Sequence, residues 1–463
     1  MNSAAPGPQG SGAAVPGGCR QPADRSTLRA VSATRREFFR TSLGAGLLAS
    51  ADAGRPATPS SQAPSSSSSA PPPHRLAPGE LERIAAEPVL RTDLLKGPIT
   101  VASIELLRSG QTLLVRARSK DGAESVTVPN IAHVIDVYPL LLARVAPFFV
   151  GKDARDLEPL LAELYRQDSN YKLQGLSFWV CVAAVEMALL DLIGQASGRS
   201  VGDLLSKGVV RRDIAVYRAS GKRGNRPEEE IEYLRRLQAE TGSRAMKFRL
   251  GGRMSQNADS LPGRTDTLIP LVRKTFGDGM TLYADANSSY DVPTALRIGR
   301  QLEAHGYALF EEPCPFDDLW ATKQIADAMT IPVGLGEQES SLNRFRWQIE
   351  NRVMDVVQPD LHYFGGFIRC TKVARMAAAA GLPCTLHLSE SGFGYLNLLH
   401  FASYVADPGP FQEFKGETAI PFACETSTLK CKDGLVRCPS GPGFGVQIAP
   451  DFVRKFKRVE MPT

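Results

Sequence analysis

Six acidic or imidazole side chains recur at nearly even spacing through the second half of the chain: Asp285, Glu311, Glu337, Asp360, His387 and Glu413. Each closes a short apolar run that reads as a strand: TLYAD (281–285), ALFEE (308–312), VGLGE (333–337), DVVQPD (355–360), CTLHL (384–388) and FQEF (411–414). Two earlier runs, IAVYR (214–218) and AMKFR (245–249), extend the series to eight, with helical segments between them. Such an alternation predicts an α/β chain built on a (β/α)8-type barrel. In a parallel barrel the strand C-termini share one mouth, so residues far apart in sequence meet there.

Three successive acidic strand ends, Asp285, Glu311 and Glu337, offer oxygen ligands from neighbouring strands. That set suits a hard divalent cation, with magnesium the expected metal. The alternative is that each carboxylate pairs with a barrel Lys or Arg. Lys247 on the second strand and His387 on the seventh face each other across the mouth. Asp360, one strand before His387, is placed to hold the imidazole in one tautomer and raise its basicity, as a general base requires. His74, His133, His305, His362 and His400 lack such company and read as structural.

A second unit must cover that mouth. Ile99–Leu107 and Thr112–Arg118 read as strands around the turn Ser109-Gly110-Gln111. Helical patterns follow at 136–150 and 153–166, and the strongly apolar stretch 178–195 predicts a buried helix. Together they make a small α+β domain. Its loops, around Glu124–Asn130, are expected to set specificity. In the loop after Arg218, Lys222, Arg223 and Asn225 are polar candidates that read more simply as solvated.

The segments AMKFR, YADAN, FEEP, GEQ, QPD followed by GG, and LHLSE together resemble the enolase superfamily, and within it the mandelate racemase/muconate lactonizing enzyme-like subgroup. The helix pattern AAVEMALLDLIGQASGRSVGDLL (183–205) and the tail GPGFGVQI (441–448) are similar to it as well. The resemblance implies a modified barrel, 211–420, and a cap, 98–210, completed by the C-terminal segment 421–463. It implies Asp285, Glu311 and Glu337 as Mg2+ ligands, with Glu311 rather than Glu312 because the first acid of that pair carries the role. It also implies His387 with Asp360 as the acid/base dyad, Glu413 against a substrate carboxylate oxygen, Asn287 beside the metal, and a symmetric homo-oligomer. The shared chemistry is removal of the proton alpha to a carboxylate, with the resulting enediolate stabilised by the metal and nearby cations.

One departure matters. Where the family has lysine, any residue, lysine on the second strand, this chain has Lys247-Phe248-Arg249. Arginine stays protonated and is a poor base, though it can clamp a carboxylate. A racemase needs a base on each face of the carbon, whereas a dehydratase can work with His387 alone. The expected reaction is therefore dehydration of a sugar acid to a 2-keto-3-deoxy acid. Racemisation, epimerisation and cycloisomerisation are alternatives, and a non-catalytic periplasmic sugar-acid-binding protein is a remote one.

Residues 1–50 contain Arg35-Arg36 followed by Phe38-Phe39 and a weakly apolar stretch, which resembles a twin-arginine export signal; 51–80 is a Pro/Ser-rich linker. The expected destination is the periplasm or the exterior. Of the net charge of +5, four come from residues 1–74, where seven Arg face three acids. The remainder is near neutral, which argues against nucleic acid. No run of eighteen apolar residues occurs, so no membrane span is expected in the mature protein. Among the eight cysteines, Cys424, Cys431 and Cys438 could form one disulfide or remain thiols.

Overall fold

The computed structural model describes residues 76–390 and 392–461; the twin-arginine region and the linker up to residue 75 lie outside the described residues. At the end of the stretch read as linker, Glu80–Ala86 is a helix packed beside the helix Phe367–Ala379, with Lys372 Nζ donating to Ala85 O.

The cap is an antiparallel sheet with a helical layer. Strands β1 (Val101–Ser109) and β2 (Thr112–Ser119) form the expected hairpin, and β3 (Glu124–Thr127) adds to β2. Residues 124–127 are thus an edge strand and not a specificity loop. The fourth strand comes from the far end of the chain. β14 (Lys457–Arg458) pairs with β1 and gives the order β14-β1-β2-β3, so C-terminal residues complete the cap. Helices at Ile131–Leu140, Leu157–Arg166 and Leu176–Ser197 cover the sheet. Ile131–Phe149 and Leu176–Ser197 are apolar and long enough to cross a membrane by length and composition. The second, apolar all round, is 89% buried, as a core helix between two layers must be. The first is interrupted by a π turn at Leu141–Val145 just after Pro139.

The barrel strands are β4 (Asp213–Ala219), β5 (Ala245–Arg249), β6 (Thr281–Asp285), β7 (Leu309–Glu311), β8 (Val333–Leu335), β9 (Val356–Val357) and β10 (Gln412–Phe414), all parallel and in the order β10-β4-β5-β6-β7-β8-β9. Register places Arg249 opposite Asp285 and Asp285 opposite Glu311, so the strand ends are level. The seventh run, 384–388, is not a full strand. It makes only isolated parallel bridges, Val357 with Cys384 and Asp360 with His387. Pro359 and Pro383 have no N–H to give the ladder; they contribute only carbonyls, to His387 N and Val357 N. β12 (Leu435–Arg437), after β11 (Phe422–Ala423) and before β13 (Gln447–Ile448), pairs antiparallel with the first half of β4, while β10 takes the second half. The three C-terminal cysteines are free thiols.

The long cap helix grips the barrel through one carboxyl. Glu186 is fully buried and accepts N–H groups from Phe367 and Ile368 at 2.9 and 2.8 Å, satisfying the start of the following barrel helix. A Cβ on Gly366 (φ 106°) would sit 2.1 Å from Glu186 Oε2, so only glycine fits there. Burial pushes the Glu186 carboxyl up to about 8, against the pull of its two backbone donors. The folded state therefore holds this proton more tightly than the unfolded chain. The associated stability is complete below the ordinary carboxylate range and drains away as pH rises through about 8. Thermal unfolding should occur at a lower temperature at pH 8.5 than at pH 6, and Glu186→Gln should flatten that difference. An unchanged pH dependence in the variant would refute it.

Candidate active site

Asp285 ends β6, Glu311 ends β7, and Glu337 follows β8 by two residues. All three are buried, and one oxygen from each lies within 4.8 Å of the others. The backbone is bent to achieve this: Asn287, Ser288 and Glu312 all have positive φ, at 40°, 61° and 42°. The turn at Glu312 directs Glu311 into the group. Glu312 Oε1 and Glu337 Oε2 are buried and accept no hydrogen bond. Burial, with Glu337 and Glu311 nearby, drives the Glu312 carboxyl well above its ordinary range. An all-oxygen donor set with unsatisfied acceptors fits a hard divalent cation.

Two cations flank the triad. Lys247 Nζ lies 2.6 Å from Glu311 Oε1, 3.1 Å from Glu413 Oε1 and 3.8 Å from Asp285 Oδ2. Burial would lower its pKa, but Glu311 and Glu413 outweigh burial and raise it. Arg249 contacts Asp285 Oδ2, and its Nη1 donates to Asn287 Oδ1 at 3.1 Å. Both readings of the acidic strand ends are thus present, since two of the carboxylates pair with cations while all three converge. Tyr217 and Tyr283, packed edge to face at 5.1 Å, form an apolar floor beneath Lys247.

On the other side, His387 Nδ1 meets Asp360 Oδ2 at 2.8 Å. Asp360 also accepts N–H groups from His362, Tyr363 and Ser389. Burial opposes ionisation of Asp360, but His387 and these donors hold its carboxyl below the ordinary range. Its other ring nitrogen, His387 Nε2, faces the mouth and lies 3.3 Å from Glu337 Oε2. Glu413 accepts from Leu388 N at 2.9 Å. Against burial, Lys247 and Lys415 hold it ionised. Its Oε1 lies 3.1 Å from Lys247 Nζ, so it helps to position that ammonium at the mouth.

The structure adds residues that the sequence passed over. Arg223 is half-buried in a mostly exposed loop, and its Nη2 donates to Asn287 Oδ1, the acceptor that Arg249 also uses. His133 is not isolated, because its Nε2 lies 2.9 Å from Tyr363 Oη and the Tyr363 ring centroid is 6.1 Å from that of His387. Asn130 caps the helix at Ile131 and donates to Ser389 Oγ at 2.9 Å, which seats the cap against the dyad. Gln358 Nε2 donates to Glu311 Oε2 at 2.9 Å. Gln358 lay within the QPD motif, Asn130 ended the Glu124–Asn130 stretch and Arg223 was one of the polar candidates after Arg218, whereas His133 carried no signal.

A parallel barrel whose mouth gathers three carboxylates, under a cap finished by the C-terminus, defines an enolase-type α/β fold. The chain belongs to the mandelate racemase/muconate lactonizing enzyme family: the N-terminal domain description matches residues 92–206, and the enolase C-terminal domain-like description matches 229–452. It is 29% identical over 322 residues to the D-galactarolactone cycloisomerase of Agrobacterium fabrum, covering 67% of this chain and 82% of that one. It is 27% identical over 320 residues to the D-galactonate dehydratase of Xanthomonas campestris, with coverage of 67% and 82%. In fold it is similar to a mandelate racemase/muconate lactonizing protein from Paracoccus denitrificans crystallised with magnesium (TM-score 0.71, 24% identity, 79% of this chain and all of that one). This chain is an enzyme, a lyase or an isomerase.

Proposed function

We propose that the protein dehydrates a sugar acid to its 2-keto-3-deoxy acid with Mg2+ held by Asp285, Glu311 and Glu337, after export by the twin-arginine route. The observation that carries this reading is the asymmetry of the mouth. His387 paired with Asp360 stands on one side, while Lys247 and Arg249 on the other are cations tied to carboxylates.

Bound Mg2+ would supply Lewis-acid stabilisation of the charge that develops on the substrate carboxylate. Lys247, held by Glu311 and Glu413, is placed to donate to a carboxylate oxygen and strengthens its hold as that charge grows. His387 Nε2 takes the alpha proton, and the C–H electron pair moves into the enediolate. When the beta C–O bond breaks, the leaving oxygen receives that proton from the imidazolium and departs as water. The enol then becomes the 2-keto acid. Asp360 keeps Nδ1 protonated throughout and stabilises the transient cation.

A second reading, cycloisomerisation, is favoured by the Agrobacterium relative. The two are separated by incubating the enzyme with Mg2+ and a panel of aldonates, aldarates and their lactones in D2O. Dehydration should give a keto product trapped by semicarbazide. Deuterium at the alpha carbon without keto product would overturn dehydration in favour of the isomerase.

A further inference from the structure

The loop after β4 carries an arginine that the mechanism above does not use. Arg223 reaches the mouth from that loop, and its guanidinium shares a single neutral acceptor, Asn287 Oδ1, with Arg249. Two like charges repel, and while Asp285 answers Arg249, the guanidinium of Arg223 has only that neutral amide oxygen as a side-chain partner among the described residues. Arg249 is only 4% exposed, yet its Nε–H donates no hydrogen bond, and neither does the buried Nε–H of Arg223.

The arrangement is built, not incidental. Arg264, 1% exposed, donates to Asn225 O at 2.8 Å and Lys222 O at 3.5 Å, and Ser260 Oγ donates to Arg223 O at 2.8 Å. Three backbone carbonyls of the loop are therefore pinned from below, which fixes where Arg223 can point. Arg264 also donates to Arg249 O at 2.8 Å, coupling the loop to β5. Buried side-chain donors hold the two guanidinium groups side by side with N–H groups to spare. That geometry matches a carboxylate, which can accept from both.

We propose that Arg223 and Arg249 form a subsite for a second carboxylate, so that the preferred substrate is a sugar diacid. The inference rests on the reaction class proposed above and narrows it. Arg223 is then a specificity-determining residue. The subsite lies over the ends of β4 and β5, across the mouth from His387, so the second carboxylate lies beyond the reacting carbon on the side away from the base.

The test compares an aldarate with the aldonate of the same length and configuration. Binding is measured by calorimetry with Mg2+ on the full-length His387→Asn enzyme, alone and combined with Arg223→Gln or Arg223→Lys. Proton exchange in D2O on the wild type reports the reaction class separately. The diacid should bind roughly 10- to 100-fold more tightly than the monoacid. Arg223→Gln should erase that margin while leaving monoacid affinity within about twofold, and Arg223→Lys should restore part of it. Equal binding of the two acids in the parent, or an equal loss for both in Arg223→Gln, would overturn the subsite while leaving the reaction class standing. If the wild type exchanges no alpha proton and neither acid binds, the reaction class fails and the subsite falls with it. Melting temperature shows whether each variant is folded, and should Arg223→Gln not fold, Arg223→Lys carries the comparison.

Discussion

Replacing His387 with asparagine should lower turnover of the sugar acid by ~10^3-fold or more, within the range that a positioned base contributes, while leaving the divalent-ion affinity close to that of the wild type. Asparagine can still donate to Asp360 across the present 2.8 Å contact, so the local packing survives. What it lacks is a nitrogen able to take and return a proton. Asp360→Asn should act through the same imidazole. An amide there offers Nδ1 a donor or a weaker acceptor, which favours the wrong tautomer and removes the charge that stabilises imidazolium. Its cost should fall in the ~10^2–10^4 range for lost acid/base catalysis. It should also carry a structural price, since Asp360 accepts N–H groups from His362, Tyr363 and Ser389. The decisive measurement is the rate of alpha-proton exchange with solvent under single-turnover conditions, because product release cannot mask it. If His387→Asn exchanged the proton as fast as wild type, the base would have to be another residue.

How much of this could be read from the chain depended on whether the signal was local. AMKFR and TLYAD matched β5 and β6 residue for residue, because a strand buried on both faces is a mostly apolar run; Lys247 inside the first is tolerated because Glu311 and Glu413 pair with it. CTLHL had the same composition but lost its ladder, because Pro359 and Pro383 flank the positions where N–H donors were needed. The even spacing of acidic strand ends translated directly into the level register of Arg249, Asp285 and Glu311. Nothing comparable marked Arg223. Its role depends on Arg264, about forty residues later, reaching back to hold a loop whose own composition is polar and ordinary. The same holds for His133 and Tyr363, which meet across a separation of 230 residues only because the cap docks on the barrel. Likewise β3 read as a loop, since a four-residue edge strand has too few residues to show alternation.

Glu337→Gln should abolish activity and weaken Mg2+ binding by several orders of magnitude, and the reason lies in the charge balance of the buried group. Asp285, Glu311 and Glu337 bring three carboxylates into a space where their oxygens lie within 4.8 Å, with Glu312 and Glu413 also buried nearby. Lys247 and Arg249 answer Glu311, Glu413 and Asp285. Glu337 has no Lys or Arg ion pair among the described residues: Gln338 Nε2 donates to its Oε1 at 3.1 Å, and its Oε2, 3.3 Å from His387 Nε2, is without a hydrogen bond. Desolvating that oxygen is costly unless a cation arrives. It is therefore the ligand whose charge depends most on the metal, while its neighbours have partners with or without one. Neutralising it removes both a ligand and the electrostatic deficit that draws the ion in. Added Mg2+ should consequently stabilise the wild-type fold by ~2.7 kcal/mol at a hundredfold excess over Kd, a rise of several degrees in melting temperature. The same addition should barely move Glu337→Gln. Titration calorimetry with Mg2+ and melting curves with and without chelator check this directly. A variant that bound the ion as tightly as the wild type would show that Glu337 is no ligand, and one that melted higher than the wild type in chelator would show the strain it relieves in the metal-free fold.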